Sequence, residues 1–303
     1  MPTCFPAPQA GAGWWCTGRS EQWAASSGPE ALSASTGAVD SGRPARGRTM
    51  TAIQSPSNSR FKTWRRQADG EVRRTGRTLV CGARICREVA NSQPPERLAW
   101  IVPEGFDGEL PGGPEIRRHE LARGLFSELD RFGTGQPMLD AAVDGLIREP
   151  SGTLAKGLYL VVPLQDPINV GAVIRTAAGL GASGAFLLPS CAHPFHPKSV
   201  RTSAGAVFKL PLHPIDDPAR LQGLGLELVG LDARGEPVAG FEFPERTGLV
   251  VGQEGGGLAQ TSGLICTKHV KISVVALPMQ GIESYNANVA AALAMYEWKR
   301  RCR

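Results

Sequence analysis

From Gly157 onward, short apolar runs alternate with stretches of helical character, and this alternation restricts the fold more than any other feature. The runs are LYLVVPL, AFLLP, VFKLPL, LELVGLD, TGLVVG and VKISVVALP, with VGAVIRTAAGLGA reading as a helix after the first and a terminal helix over about Asn286 to Arg300. Runs so short and so apolar suit strands buried on both faces, and their alternation with helices predicts a parallel sheet covered on both sides. The expected class is α/β.

A smaller α/β unit is expected before it, over residues 50–145: a basic helical stretch, TLVCGARICREVA as strand into helix, LAWIVP as a second strand and LARGLFSEL as a helix. Residues 146–156, polar with Gly and Pro, read as a linker to a domain spanning 157–303. Of the first 49 residues, 27 are Gly, Pro, Ser or Ala, and Leu32 and Val39 are the only branched aliphatics, so this segment cannot bury a core. It is expected to be disordered, or an upstream extension ahead of Met50.

The chain has 42% hydrophobic and 20% charged residues, which excludes wholesale disorder. The longest apolar stretch, Val170 to Leu188, is interrupted by Arg175, so no membrane span is expected. The first residues lack the basic opening and continuous apolar segment of a secretory signal, and the expected compartment is the cytoplasm. Seven cysteines, without a CxxC pair, fit reduced thiols. Cys191, His193 and His196 have metal-like spacing but no fourth ligand candidate, so no metal is expected. The net charge of +5 matters less than its distribution: nine Arg/Lys against three acids lie between Ile53 and Ala90. Such a segment would attract a phosphate backbone.

Three polar or Gly-rich segments follow predicted strands, at the sheet edge where open α/β folds bind ligands. In Asp166-Pro-Ile-Asn169-Val-Gly171-Ala-Val-Ile-Arg175, Asn169 and Arg175 bracket the opening turns of a helix; a cap and a solvated arginine would also produce this pattern. Val250-Val-Gly252-Gln-Glu254-Gly-Gly-Gly257 is neither a dinucleotide fingerprint nor a P-loop. Leu277-Pro-Met-Gln-Gly-Ile-Glu-Ser284-Tyr285-Asn286-Ala-Asn288 runs into an Ala-rich helix that Ser284 could cap. Chance capping does not explain all three in one domain.

In this order the three segments resemble the motifs of the SpoU/TrmH family of SPOUT RNA methyltransferases. HPKSVRTSAGAVFKLPL is similar to the family's basic segment with its Ser-x-Gly-Ala turn, and the basic N-terminal run is similar to a ribosomal-L30-like substrate-binding domain. The resemblance covers about residues 53 to 300 and implies a SPOUT-type parallel sheet with a C-terminal trefoil knot. It implies S-adenosyl-L-methionine (AdoMet) held around Gly252, Leu277 and Tyr285, with Asn169, Arg175, Glu254, Ser284 and Asn286 facing the nucleotide. Tyr285 and Asn288 depart from the family pattern, which usually has Ser-Leu-Asn at the first and a small Ser at the second.

The implied activity is 2'-O-ribose methylation of structured RNA, foremost 23S-type ribosomal RNA, by a cytoplasmic homodimer without membrane or DNA partners. Its interface is expected at the knot and the terminal helix, on the face of Ala287, Ala290, Ala291 and Ala294. Arg175 would deprotonate the ribose hydroxyl with help from an RNA phosphate, or stabilise the alkoxide electrostatically, since guanidinium keeps its charge. A transfer-RNA methyltransferase and a non-catalytic RNA-binding protein of the same fold are the alternatives, with a dinucleotide-dependent dehydrogenase a distant third.

Overall fold

The computed structural model describes residues 52–150, 152–216, 220–252, 258, 272–278, 280–281 and 284–301. The extension expected over residues 1–49 lies outside these, as do Glu254, Gly255, Gly256, Gly257 and residues 259–271, within the part of the chain where the knot is expected.

The first sheet is four-stranded, ordered β1-β4-β2-β3, from β1 (Arg77–Val80), β2 (Leu98–Pro103), β3 (Arg117–Leu121) and β4 (Met138–Ala142). Strand β4 is antiparallel to both β1 and β2, and β3 runs parallel to β2. Alternate residues of β2 serve two cores. Ile101 packs with Phe61, Trp64, Leu121 and Met138 beneath helices α1 (Ser59–Ala68) and α4 (Arg123–Leu129). Trp100 and Val102 join the core under α3 (Ala83–Ser92). Strands β3 and β4 have no counterpart in the sequence reading. Strand β3 is an edge strand, free to carry Arg-Arg-His-Glu, and β4 contains Asp140. That buried carboxylate accepts from Arg77 Nε (2.8 Å) and Trp64 Nε1 (3.0 Å), which offsets the cost of removing its charge from water.

The second sheet holds β5 (Gly157–Val162), β6 (Gly184–Leu187), β7 (Leu212–Pro214), β8 (Glu227–Pro237), β9 (Arg246–Val250) and β10 (Ile272–Ala276) in the order β10-β8-β9-β5-β6-β7. Every neighbouring pair is parallel. Leu158, Leu160 and Val162 face one layer of the core, and Tyr159 and Val161 the other, the two-sided burial that the unbroken apolar run predicted. VFKLPL is not the strand expected of it. Gly205 (φ +81°) and Ala204 (φ +50°) turn the chain into a 3₁₀ turn at Ala206–Phe208, and pairing resumes only at Leu212.

Helix α5 (Pro167–Leu180) follows β5 and packs against α6 (Pro197–Thr202) and α8 (Ala287–Arg301), while α2 (Val72–Thr75) packs on α1 and β1 and α7 (Arg220–Gly223) precedes β8. Its ends are specified locally: Asp166 accepts from Ile168 N (2.9 Å), Pro167 opens the first turn, and Gly181 closes the helix in the left-handed conformation (φ +80°). Gly171 lets α6 approach, because a Cβ there would collide with the Ser199 carbonyl oxygen and lie 2.9 Å from its Cα. Gly171→Val is therefore expected to lower stability by about 1–3 kcal/mol, read as a reduced denaturation midpoint; an unchanged midpoint would show that the α5–α6 crossing yields without cost.

The two sheets share one continuous apolar cluster, from Val72 and Trp100 to Leu160 and Trp298. Thr78 Oγ1 donates to the Phe195 carbonyl (2.6 Å), Arg73 to that of Cys191 (3.3 Å), and Lys209 pairs with Glu88 (2.7 Å). Within 146–156, Ile147 forms a parallel bridge to Leu212 and Leu154 is buried.

Candidate active site

In chain order the second sheet grows from β5 through β6 to β7, then returns to the opposite side of β5 with β8, β9 and β10. The direction of growth reverses between β5 and β9. In an open parallel sheet, that switch point leaves a crevice beyond the carboxyl ends of the strands. The chain leaving β5 passes through Asp166 into α5, which carries Asn169 and Arg175, and the chain leaving β9 reaches the half-buried Gly252. The chain leaving β10 reaches Leu277 at the same edge.

A hydrogen bond joins the first and third segments. Asn288 Nδ2 donates to Asn169 Oδ1 at 2.6 Å, pinning the first turn of α8 to the first turn of α5. Asn286 Oδ1 accepts from Asn288 N (2.9 Å), so Asn286, not Ser284, caps α8, and Ser284 stays exposed in the preceding loop. Tyr285 Oη donates to the Pro278 carbonyl at 2.7 Å and closes that loop on itself. The two positions that depart from the family pattern thus supply the bonds that fix the third segment. The structure therefore ties Asn169 through Asn288 to Asn286 and ties Tyr285 to Pro278, next to Leu277; no bond joins Ser284 to them among the described residues, and Glu254 lies outside those residues. Asn288 was not among the expected site residues; its signal was the unexplained polar side chain at the start of an Ala-rich helix.

Arg175 is exposed on α5 and has no hydrogen-bond or ion-pair partner among the described residues. It lies seven positions after Ile168, which places both on one face of the helix. Ile168 is 47% exposed, and Val289, Leu293 and Tyr296 of α8 are exposed apolar side chains as well. The alanine face expected at an interface is used inside the chain instead: Ala291 and Ala294 are fully buried, because small side chains let α8 lie close against α5.

The Cys191-His193-His196 loop has structural work of its own. His193 Nδ1 accepts from Phe195 N (3.2 Å) and His196 Nδ1 from Lys198 N (3.1 Å), the latter capping α6. Burial, with help from Arg73 and His196, pushes the His193 pKa down to about 4, which keeps its acceptor nitrogen unprotonated near neutral pH.

The AdoMet fit can be judged from the donor set. Leu277 and the Tyr285 ring offer half-buried apolar surface, Gly252 brings backbone without a side chain, and Asn288 Oδ1 is buried without a hydrogen-bond partner among the described residues, an acceptor for a ligand N–H or O–H. These residues suit a ligand with an apolar ring and polar substituents.

The profile of the SpoU rRNA Methylase family matches residues 158–296. The chain is 35% identical over 254 residues to the ribosomal RNA small subunit methyltransferase G 2 of Syntrophobacter fumaroxidans, covering 82% of this chain but 49% of that one. It is 31% identical over 265 residues to the 23S rRNA (uridine(2479)-2'-O)-methyltransferase of Streptomyces viridochromogenes, covering 80% of this chain and 90% of that one. The crystal structure of the SpoU methyltransferase AviRb from S. viridochromogenes with AdoMet superposes with a TM-score of 0.65 at 25% identity, over 81% of this chain and 98% of that one. With the fold, the switch-point crevice and the ordered segments in agreement, the chain belongs to the SpoU rRNA Methylase family of AdoMet-dependent RNA 2'-O-methyltransferases.

Proposed function

We propose that this chain methylates a ribose 2'-oxygen of 23S-type ribosomal RNA, working as a homodimer in the cytoplasm. The observation that carries the reading is the Asn288–Asn169 bond, which draws the third segment onto the helix bearing Arg175, beside the crevice between β5 and β9.

AdoMet, held by Gly252, Leu277 and Tyr285, supplies an activated methyl group. The protein's remaining task is alignment of a ribose hydroxyl and management of its proton. Asn169, fixed by Asn288, and the exposed Ser284 and Asn286 orient the ribose. Arg175, without a partner among the described residues, would stabilise the alkoxide and its neighbouring phosphate, and Glu254 would fix the second loop. The 2'-hydroxyl target itself separates RNA from DNA.

The small domain would capture RNA. Lys62, Arg66 and Arg87 are exposed and have no acidic partner among the described residues, so their charge is available to phosphate. The apolar surface of Ile168, Val289, Leu293 and Tyr296 is the proposed dimer face.

The test is tritiated methyl transfer to purified 23S rRNA followed by alkaline hydrolysis. A 2'-O-methyl ribose blocks cleavage of its phosphodiester, so label is expected in alkali-resistant dinucleotides. Label recovered in mononucleotides would place the methyl on a base and overturn the reading.

A further inference from the structure

A cavity of about 280 Å³ lies in the small domain, between α1 and the ends of the four strands. Its α1 wall is a stripe of Arg60, Thr63, Trp64 and Gln67, one face of the helix by their spacing. Gln67 is fully buried, and neither its amide nitrogen nor its amide oxygen has a hydrogen-bond partner among the described residues. A buried glutamine with both groups unpaired is costly, and a leucine would fill the same space without that cost. The opposite wall includes the half-buried His119, whose ring lies 5.4 Å from that of Trp64. Arg60 and Arg117 stand exposed at the cavity against one exposed acid, Glu96; the Arg60 guanidinium lies 3.1 Å from His119 Nδ1, and Asp140 is already engaged by Arg77 and Trp64.

We propose that this cavity receives one unstacked nucleobase of the RNA substrate, read on its polar edge by the Gln67 amide. The amide presents one acceptor and two donor hydrogens side by side, the complement of a base edge. His119 supplies an aromatic ring for the base to pack on, and Arg60 and Arg117 take the flanking phosphates. Burial and the two arginines lower the His119 pKa, so the ring adds no charge to the wall at neutral pH. The pocket lies in the small domain, apart from the crevice of the large sheet, and would select RNA by a nucleotide other than the one methylated. The inference rests on the RNA-methylating function proposed above.

The experiment compares wild type, Gln67→Leu and Arg117→Ala as full chains, with purified 23S rRNA and tritiated AdoMet. Gln67→Leu is expected to melt no lower than wild type and to keep AdoMet affinity and kcat, while KM for RNA rises about tenfold, the scale of lost base-edge hydrogen bonds. Arg117→Ala should raise KM about threefold and make RNA binding less salt-dependent. A Gln67→Leu protein of unaltered melting temperature and unaltered KM overturns the pocket. Should that variant melt lower, the exposed Arg117 decides: a KM within error of wild type overturns it equally. Wild type that neither binds nor methylates the rRNA brings down the functional reading, and the pocket with it.

Discussion

Arg175→Ala is expected to slow single-turnover methyl transfer by at least about a hundredfold, the scale at which one positioned charge-stabilising or proton-transfer group acts, with AdoMet affinity little changed. The expectation follows from where the guanidinium is and what it lacks. It projects from α5, whose first turn is held against α8, and no carboxylate among the described residues neutralises it. Arg84, by contrast, is held by Glu88 one turn further along its own helix. The proposed cofactor contacts come from the other two segments, so rate and cofactor affinity should separate. Arg175→Lys should be nearly as poor, because an ammonium cannot reproduce the planar multi-donor contact with ribose and phosphate. Alanine-variant methylation within a few-fold of wild type would remove Arg175 from the chemistry.

Much of this fold is legible because its strands are buried on both faces. LYLVVPL can be little else, and the helix after it announces both ends, with Asp166-Pro167 at the start and Gly181 at the finish. The strands that escape reading are those whose partners pay for polarity or lie at an edge: Asp140 in β4 is tolerable only because Arg77 and Trp64 reach it from 63 and 76 residues away, and nothing local signals that. VFKLPL reads as a strand because its apolar residues are real core residues, yet Gly205 beside Ala204 bends the backbone first. At the site, the ordered segments showed which side chains to watch. The Asn288–Asn169 bond was hidden because 119 residues separate its partners. Gln67 was equally silent, since one glutamine in a basic helix looks solvated until burial is known.

Leu293→Asp is expected to convert the proposed dimer to monomer at micromolar concentration and to reduce methyl transfer at least tenfold, on the order of the several kcal/mol that an unpaired carboxylate costs in a dry interface. Leu293 is 40% exposed and Tyr296 58% exposed, so neither supports the core of its own chain, and the variant should melt close to wild type and bind AdoMet where the cofactor site is contained within one chain. Spacing puts Val289, Leu293 and Tyr296 on one stripe of α8, and Ile168 is a further exposed apolar side chain, on α5. Arg175 shares the Ile168 face, so a partner docked there would crowd the guanidinium, order it and exclude water from its charge. Dimer dissociation should therefore lower kcat as well as RNA affinity. Light scattering that still reports twice the chain mass for Leu293→Asp would move the interface elsewhere, and a monomer with undiminished kcat would show that each chain completes its own active site.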